Sequence, residues 1–203
     1  MGKVYEGIDD RLRDFILAQP VFFVATAPSG AGGHVSLSPK GGTGTLAVLG
    51  RHRVAYLDYT GSGAETIAHL RDNGRITLMA CAFRGPPKIL RLYGCGRPVL
   101  PGDAGFAELL ASFPGDPGRG LRAIIDVEVE RVSDACGYQV PLMEYAGDRD
   151  LLVRWTDRKS DEELAEYRRT RNDRSIDGLP AVPETFVQPD VPQGGDVLDG
   201  TAG

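Results

Sequence analysis

The stretch YLDYTGSGAETIAHLRDNGRITLM (residues 56–79) contains a strand-like run, a glycine-rich turn, a helical pattern and a second strand-like run. The turn, TGSGAET, covers residues 60–66. The helical periodicity that follows predicts a helix from about residue 63 to residue 72. Free N–H groups in the first turn of such a helix, together with the helix dipole, favour a bound anion. The turn therefore either holds a phosphate group or serves only as a tight connection.

Within this turn, Ser62 and Glu65 have the spacing of a capping box, with Ser62 at the N-cap and Glu65 at the third helical position. Gly61 and Gly63 leave the backbone accessible. Hydroxyl groups that could donate to a phosphate stand at three positions: Thr60, Ser62 and Thr66. A capping box needs no ligand, however, and Glu65 adds a negative charge. The turn also lacks the third glycine of a dinucleotide fingerprint and the Gly-Lys-Ser/Thr of a P-loop, so both interpretations stay open.

A second stretch, VSLSPKGG (residues 35–42), bears on this question. Its alternation predicts a half-exposed strand, with Ser36 and Ser38 on one face and Leu37 on the other. Lys40 stands at the exposed end of this strand. A single lysine before a turn is ordinarily solvated, so Lys40 matters to a phosphate only if the fold brings it to the Ser62 turn.

The rest of the chain predicts more strands than helices. Strand-like runs cover 21–27, 43–50, 75–83, 88–100 and 121–135, with 75–100 forming a long hairpin around RGPP. Short helices are expected near 8–16, 103–113 and 160–172, the last with a capping box of Ser160 and Glu163. Because the strands do not alternate regularly with helices, a doubly wound parallel sheet is disfavoured. The pattern favours a mainly β protein with flanking helices, built as an antiparallel barrel.

Composition narrows the class of protein. The chain has 203 residues, of which 41% are apolar, and a formal charge of −5. Four acids and no Lys or Arg fall in 184–203, so the remaining body is nearly neutral and a broad nucleic-acid surface is not indicated. Three cysteines without a CxxC pair and three scattered histidines argue against a disulfide framework and a zinc site. The absence of a signal sequence or a long apolar stretch predicts a soluble, cytoplasmic protein without a membrane partner.

The combination of HVSLSPKG, YLDYTGSG and AHLRDNGRITLM resembles the pyridoxamine 5'-phosphate oxidase-like family of FMN-binding split barrels. The resemblance covers about residues 5–135 and implies a six-stranded antiparallel split β-barrel that binds FMN. It also implies a homodimer with the cofactor groove at the subunit interface. Residues 136–182 would form a helical extension of the same domain, and the Pro-, Gly- and Asp-rich segment 183–203 is expected to be a disordered acidic tail.

The resemblance also assigns cofactor-binding positions, which are carried over one by one. Lys40 matches the strand lysine that holds the FMN phosphate. The phosphate loop would include Ser62, Gly63, Glu65 and Thr66, with Thr60 as a further hydroxyl donor. The ribityl chain and ring edge would run along Ser36, Leu37, Ser38, Asp58 and Tyr59. Trp155, the single tryptophan, or Tyr138 would stack on the flavin ring from the partner subunit.

Two departures from the family pattern keep the function open. The family loop usually carries an Arg-Lys pair, whereas this chain has Glu65-Thr66, so Arg91 or Arg97 is considered as an additional phosphate ligand. The vitamin B6 oxidase itself carries an Arg and a His near its C-terminus, whereas this chain has no histidine after His69. The preferred hypothesis is an FMN-dependent oxidoreductase acting on an unidentified small molecule. The alternatives are a non-catalytic flavin- or haem-binding module, a deazaflavin-dependent reductase and a barrel without a cofactor.

Overall fold

The structure is a computed structural model that describes residues 2–184 and 186. Over these residues, one antiparallel sheet is accompanied by five helices. In chain order the elements are β1 (Val4–Tyr5), α1 (Asp10–Leu17), β2 (Val21–Thr26), β3 (Ser36–Gly41), β4 (Leu46–Gly50), β5 (Arg53–Tyr59), α2 (Glu65–Asp72), β6 (Arg75–Cys81), β7 (Ile89–Val99), α3 (Phe106–Leu110), β8 (Leu121–Ala135), α4 (Leu151–Asp157) and α5 (Asp161–Arg171).

The sheet is strongly curled. Its hydrogen-bonded order is β3-β2-β6-β7-β8-β5-β4, and β1 pairs with β8 outside this path. Lys40 on β3 nevertheless forms an ion pair with Asp58 on β5, although four strands separate β3 from β5 in that order. Only a sheet that curls back towards itself can bring these two strands together. The predicted split barrel with flanking helices is therefore confirmed.

The strand count differs from the expected six. Seven strands lie on the path in the described part of the chain, and the two-residue β1 is an eighth. Strand β4 pairs only with β5 and forms one edge of the sheet, while β3 forms the other edge. A short turn after Gly50 allows β4 and β5 to form separate antiparallel strands.

The core follows from the alternation of the strands. In β2, Phe22 and Val24 point into the core, and the intervening side chains are half-buried. Strand β5 is buried on both faces, because Val54 and Tyr56 belong to the main core cluster and Leu57 belongs to a second cluster. A strand buried on both faces loses the usual polar alternation. Asp58, near the end of this strand, is consequently buried as well.

Side-chain caps begin two of the helices, α1 and α5. Asp9 caps α1 by accepting a hydrogen bond from the Leu12 N–H at 2.9 Å. Ser160 forms the predicted capping box with Glu163 at the start of α5. The expected cap at Ser62 is absent and is described with the site below.

The segment after β8 returns to the core at its C-terminal end. Residues 141–150 have no regular secondary structure, and α4 and α5 follow. Leu164, Ala181 and Val182 are buried, and Phe186 packs against the main core cluster. Except for residues 183, 184 and 186, the predicted tail 183–203 lies outside the described residues. None of the helices in residues 2–184 combines the length and the apolar character that a membrane crossing requires.

Candidate functional site

A buried cluster of charges lies beside the glycine-rich turn. Lys40 Nζ donates to Asp58 Oδ1 at 3.0 Å. Arg122 donates to Asp58 Oδ2 through Nε at 3.0 Å and through Nη2 at 2.7 Å. Burial by itself raises the pKa of Asp58, but Arg122 and Lys40 outweigh that effect and hold this pKa below its usual value. Asp58 is therefore a carboxylate that two cations keep ionised.

The strands position these three residues. Lys40 lies on the inward face of the edge strand β3, together with the half-buried Ser36 and Ser38. The register between β5 and β8 shifts between Asp58 and Tyr59, which is the signature of a β-bulge. Asp58 pairs with Ala123 and Tyr59 pairs with Leu121, so Arg122 on β8 lies opposite this shift. The cluster thus forms where β5 ends and the turn begins.

Arg122 also connects the sheet to the turn. Its Nη1 donates to the Gly63 carbonyl at 2.9 Å, and its side chain is 4% exposed. Arg122 was not among the phosphate ligands predicted from the sequence, which named Arg91 or Arg97. Arg97 donates to Asp126, which also binds Arg53, so it belongs to a different ion-pair group. An arginine at the start of the apolar run LRAIIDV was the signal that could have identified Arg122.

The predicted capping box at Ser62 is wrong. Helix α2 begins at Glu65, its N-cap is Ala64, and no side chain caps it. The carbonyls of Gly61 and Gly63 instead accept hydrogen bonds from Asn172 and Arg122, which holds the turn outside the helix. Ser62 is exposed and stands two residues before the N-cap.

The turn nevertheless has the donors that an anion requires. No backbone hydrogen bond joins the N–H groups of Ser62, Gly63 or Ala64 to another described residue. Such N–H groups before a helix form an anion-binding concavity. Glu65 stands beside them, since a Cβ placed on Gly63 would lie 2.8 Å from Glu65 Oε1. The residues present fit a phosphate group by their donors and add a carboxylate that the family pattern lacks.

The C-terminal extension covers the turn. Arg168 on α5 is 1% exposed and donates to Thr60 Oγ1 at 2.8 Å. It also donates to the carbonyls of Arg119 and Leu121. Burial, reinforced by the positive charge of Arg122, lowers the pKa of Arg168 to about 10, so the side chain is still protonated at neutral pH. Sequence analysis missed this contact, although the spacing of Leu164 and Arg168 on one helix face was an available signal.

The other predicted site residues are distributed as follows. Leu37 points outward from β3 and is 65% exposed, whereas Tyr59 is partly buried and Thr66 is buried. Trp155 packs edge-to-face on Tyr167, with ring centroids 4.9 Å apart, and Lys159 lies 5.1 Å from its ring. Stacking of Trp155 on a flavin bound to a partner subunit stays a prediction.

Comparison with known proteins gives two independent similarities in sequence. The family model described as "Pyridoxamine 5'-phosphate oxidase" matches residues 8–136. A curated relative from Aspergillus flavus, "Pyridoxamine 5'-phosphate oxidase family protein ustO", is 39% identical over 196 residues. The match covers 90% of this chain and 78% of the relative.

Among solved structures, the similarities are distant. The FAD-binding protein from Mycobacterium smegmatis is 13% identical, with a TM-score of 0.45 over 66% of this chain and 96% of that one. An FMN-binding protein from Syntrophomonas wolfei subsp. wolfei is 13% identical, with a TM-score of 0.43 over 65% of this chain and 85% of that one.

Proposed function

The chain belongs to the pyridoxamine 5'-phosphate oxidase family, and from this membership we propose that it binds FMN and acts as a flavin-dependent oxidoreductase on a small molecule. The resemblance drawn from the sequence motifs is confirmed at the level of the family. The cofactor, the reaction and the site residues are the proposal.

The observation that carries the proposal is the chain of contacts that links Lys40 to the glycine-rich turn through Asp58 and Arg122. Lys40 and the Gly63 carbonyl are both tied to Arg122 through short contacts, Lys40 by way of Asp58. The side chain of Lys40 is 24% exposed. A lysine ammonium group and free N–H groups before a helix are the kinds of donor that bind phosphate.

Each part of the proposed site has a distinct task. A bound flavin supplies the hydride and electron chemistry. Lys40 and the N–H groups of Ser62 and Gly63 hold its phosphate group. Arg122 fixes the turn to β8, so these donors are already in place before the ligand arrives. Ser36 and Ser38, on the same face as Lys40, provide hydroxyls along the sugar-like chain.

The substrate is proposed to differ from a vitamin B6 phosphate. The resemblance implies that the vitamin B6 oxidase uses an Arg and a His near its C-terminus to hold the phosphate of its substrate. The histidines of this chain are His34, His52 and His69. His34 Nδ1 lies 2.7 Å from Asp177 Oδ1, and His69 is fully buried. All three histidines precede residue 70, so none stands near the C-terminus, where the resemblance places that function.

We also propose a homodimer with the cofactor groove at its interface. Val35, just before the edge strand β3, is 73% exposed, and Leu37, on the outward face of that strand, is 65% exposed. An exposed apolar edge strand promotes association, and a second copy would cover it in a closed, symmetric way.

The cysteines at 81, 95 and 136 are free, which agrees with the proposed cytoplasmic location.

Titration of the purified protein with FMN, followed by quenching of flavin fluorescence, tests the proposal. Lys40→Ala should weaken FMN binding by about 1.5–3 kcal/mol, or roughly 10- to 150-fold in Kd, because a charged hydrogen bond to phosphate is lost. Lys88→Ala, which removes a lysine immediately before β7, is the matched control and should bind FMN as the unaltered protein does. Failure of the unaltered protein to bind FMN would refute the proposal.

The same preparation separates the alternative functions. Oxidation of a reduced nicotinamide by the FMN-loaded protein would support the oxidoreductase. Tight FMN binding without turnover by any reduced donor would favour a non-catalytic flavin-binding module. Binding of a deazaflavin with no binding of FMN would favour the deazaflavin-dependent reductase.

A further inference from the structure

Four buried side-chain atoms have no hydrogen-bond partner among the described residues: Glu65 Oε2, Asn172 Oδ1, Tyr56 Oη and His69 Nε2. Two of them, Glu65 Oε2 on the helix that follows the glycine-rich turn and Asn172 Oδ1, are acceptors. Asn172 is 0% exposed, and its Nδ2 donates to the Gly61 carbonyl at 2.9 Å, so the amide is fixed against the turn. A buried acceptor without a donor is unfavourable and indicates a missing group with hydrogen to donate. The turn therefore offers N–H donors and unsatisfied acceptors side by side.

A fully ionised phosphate satisfies only the donors. A phosphate monoester carries two negative charges above its second pKa of about 6 and then has no proton to donate. Glu65 would face it as a like charge, which raises the free energy of the complex. A phosphate that keeps one proton carries a single charge and an O–H group. That O–H group can donate a short, charge-assisted hydrogen bond to the carboxylate.

The surrounding charges agree with a singly charged ligand. The charged groups of this cluster are Lys40 from β3, Asp58 from β5, Arg122 from β8 and Arg168 from α5, together with Glu65 itself. These three cations and two carboxylates sum to +1. Tyr56 is also buried there, and burial raises its pKa well above the ordinary value, so it is neutral. His69, one turn beyond Glu65 on α2, bonds to Thr26 through Nδ1 at 3.0 Å.

We propose that the turn binds the phosphate group of FMN in its monoprotonated form, with the phosphate O–H donating to the Glu65 carboxylate. This inference rests on the proposed function, because it concerns the same ligand and the same turn. Association above pH 6 then takes up one proton from solution for each FMN bound. Glu65 thereby determines which protonation state of the cofactor is selected.

The expected pH dependence follows from the population of the monoprotonated phosphate. With a second pKa of about 6, half of the FMN is in this form at pH 6 and roughly 1% at pH 8. The apparent Kd for FMN should therefore rise about 50-fold from pH 6 to pH 8. Riboflavin has the same ring and sugar chain without the phosphate, so its Kd should change little over this range.

Titration calorimetry of the intact protein with FMN and with riboflavin, at pH 6, 7 and 8, tests the inference. At pH 8, measurements in two buffers of different ionisation enthalpy should show uptake of one proton per FMN and none per riboflavin. Glu65→Gln should remove this uptake and flatten the pH dependence, because the amide can donate to the fully ionised phosphate. The pH series on the unaltered protein decides the matter even if the variant does not fold.

The outcomes are distinguishable. FMN that binds with the same affinity at pH 6 and pH 8, without proton uptake, would overturn this inference and leave the proposed function standing. No binding of FMN at any pH would overturn both. Proton uptake that persists in Glu65→Gln would show that a group other than Glu65 holds the proton, and would also overturn the inference.

Discussion

Replacement of Arg122 by methionine should destabilise the protein severely, because it leaves a buried carboxylate with one partner instead of two. Arg122 makes two charge-assisted hydrogen bonds to Asp58 and one hydrogen bond to the Gly63 carbonyl. The Asp58 side chain is 0% exposed, so water cannot replace the lost donors. Breaking a buried ion pair by removing one partner costs about 3–5 kcal/mol. Since Lys40 still pairs with Asp58, we expect a loss of about 3–4 kcal/mol.

Urea unfolding followed by circular dichroism at pH 7 measures this loss, and the midpoint of thermal unfolding should fall by roughly 6–16 °C. Lys40→Met removes the more exposed partner of Asp58 and should cost less, about 1–2 kcal/mol. The double variant Arg122→Met with Asp58→Asn removes the unpaired charge and should recover at least about 1 kcal/mol of the loss. The two comparisons separate the charge from the loss of packing.

The loss of unfolding free energy caused by Arg122→Met should also depend on pH. In the unaltered protein the pKa of Asp58 is lowered, so its contribution to stability is present above the unfolded value of about 3.9 and is lost as pH falls through the folded pKa. Without Arg122, burial raises the pKa of Asp58 instead, and protonation relieves the destabilisation at lower pH. The difference in unfolding free energy should therefore be smaller at pH 5 than at pH 7. A loss under about 1 kcal/mol at pH 7, or a difference unchanged at pH 5, would refute this account of Asp58.

Three further predictions address the covering helix, the turn and the edge strand. Arg168→Met should lower the free energy of unfolding by about 2–4 kcal/mol, because buried carbonyls lose their donor. The neighbouring Arg169→Met removes an exposed ion pair and should cost under about 1 kcal/mol. Equal losses in thermal unfolding would contradict the buried role of Arg168. Ser62→Ala should change stability by less than about 0.5 kcal/mol, while Ser160→Ala should cost about 1 kcal/mol as a true cap. The opposite order in urea unfolding would restore the capping box at Ser62. Leu37→Asp should convert the proposed dimer to a monomer in light scattering, and a variant that stays dimeric would place the interface elsewhere.

The segments whose structure is decided by near neighbours were predictable. The strand alternation in residues 21–27 and 121–135 produced strands at those positions, because side chains two residues apart share a face. Asp9 and Ser160 became helix caps, since each cap forms a hydrogen bond with an N–H group only three residues away. Ser62 and Glu65 have the same local pattern and still fail, because carbonyls of the turn are bound by Asn172 and Arg122 from distant parts of the chain.

The sequence by itself determined the split-barrel family and the places of the strands, and it singled out Lys40 and the glycine-rich turn as a predicted site. Tertiary structure alone decided the ion-pair and hydrogen-bond partners of those residues. Lys40 and Asp58 are 18 residues apart, Asp58 and Arg122 are 64 apart, and Thr60 and Arg168 are 108 apart. Local periodicity reports which face a side chain occupies, whereas contacts across such separations depend on how the sheet curls and where the C-terminal helices return. The counter-ions of the site, and the burial that gives them their effect, therefore appear only in the folded chain.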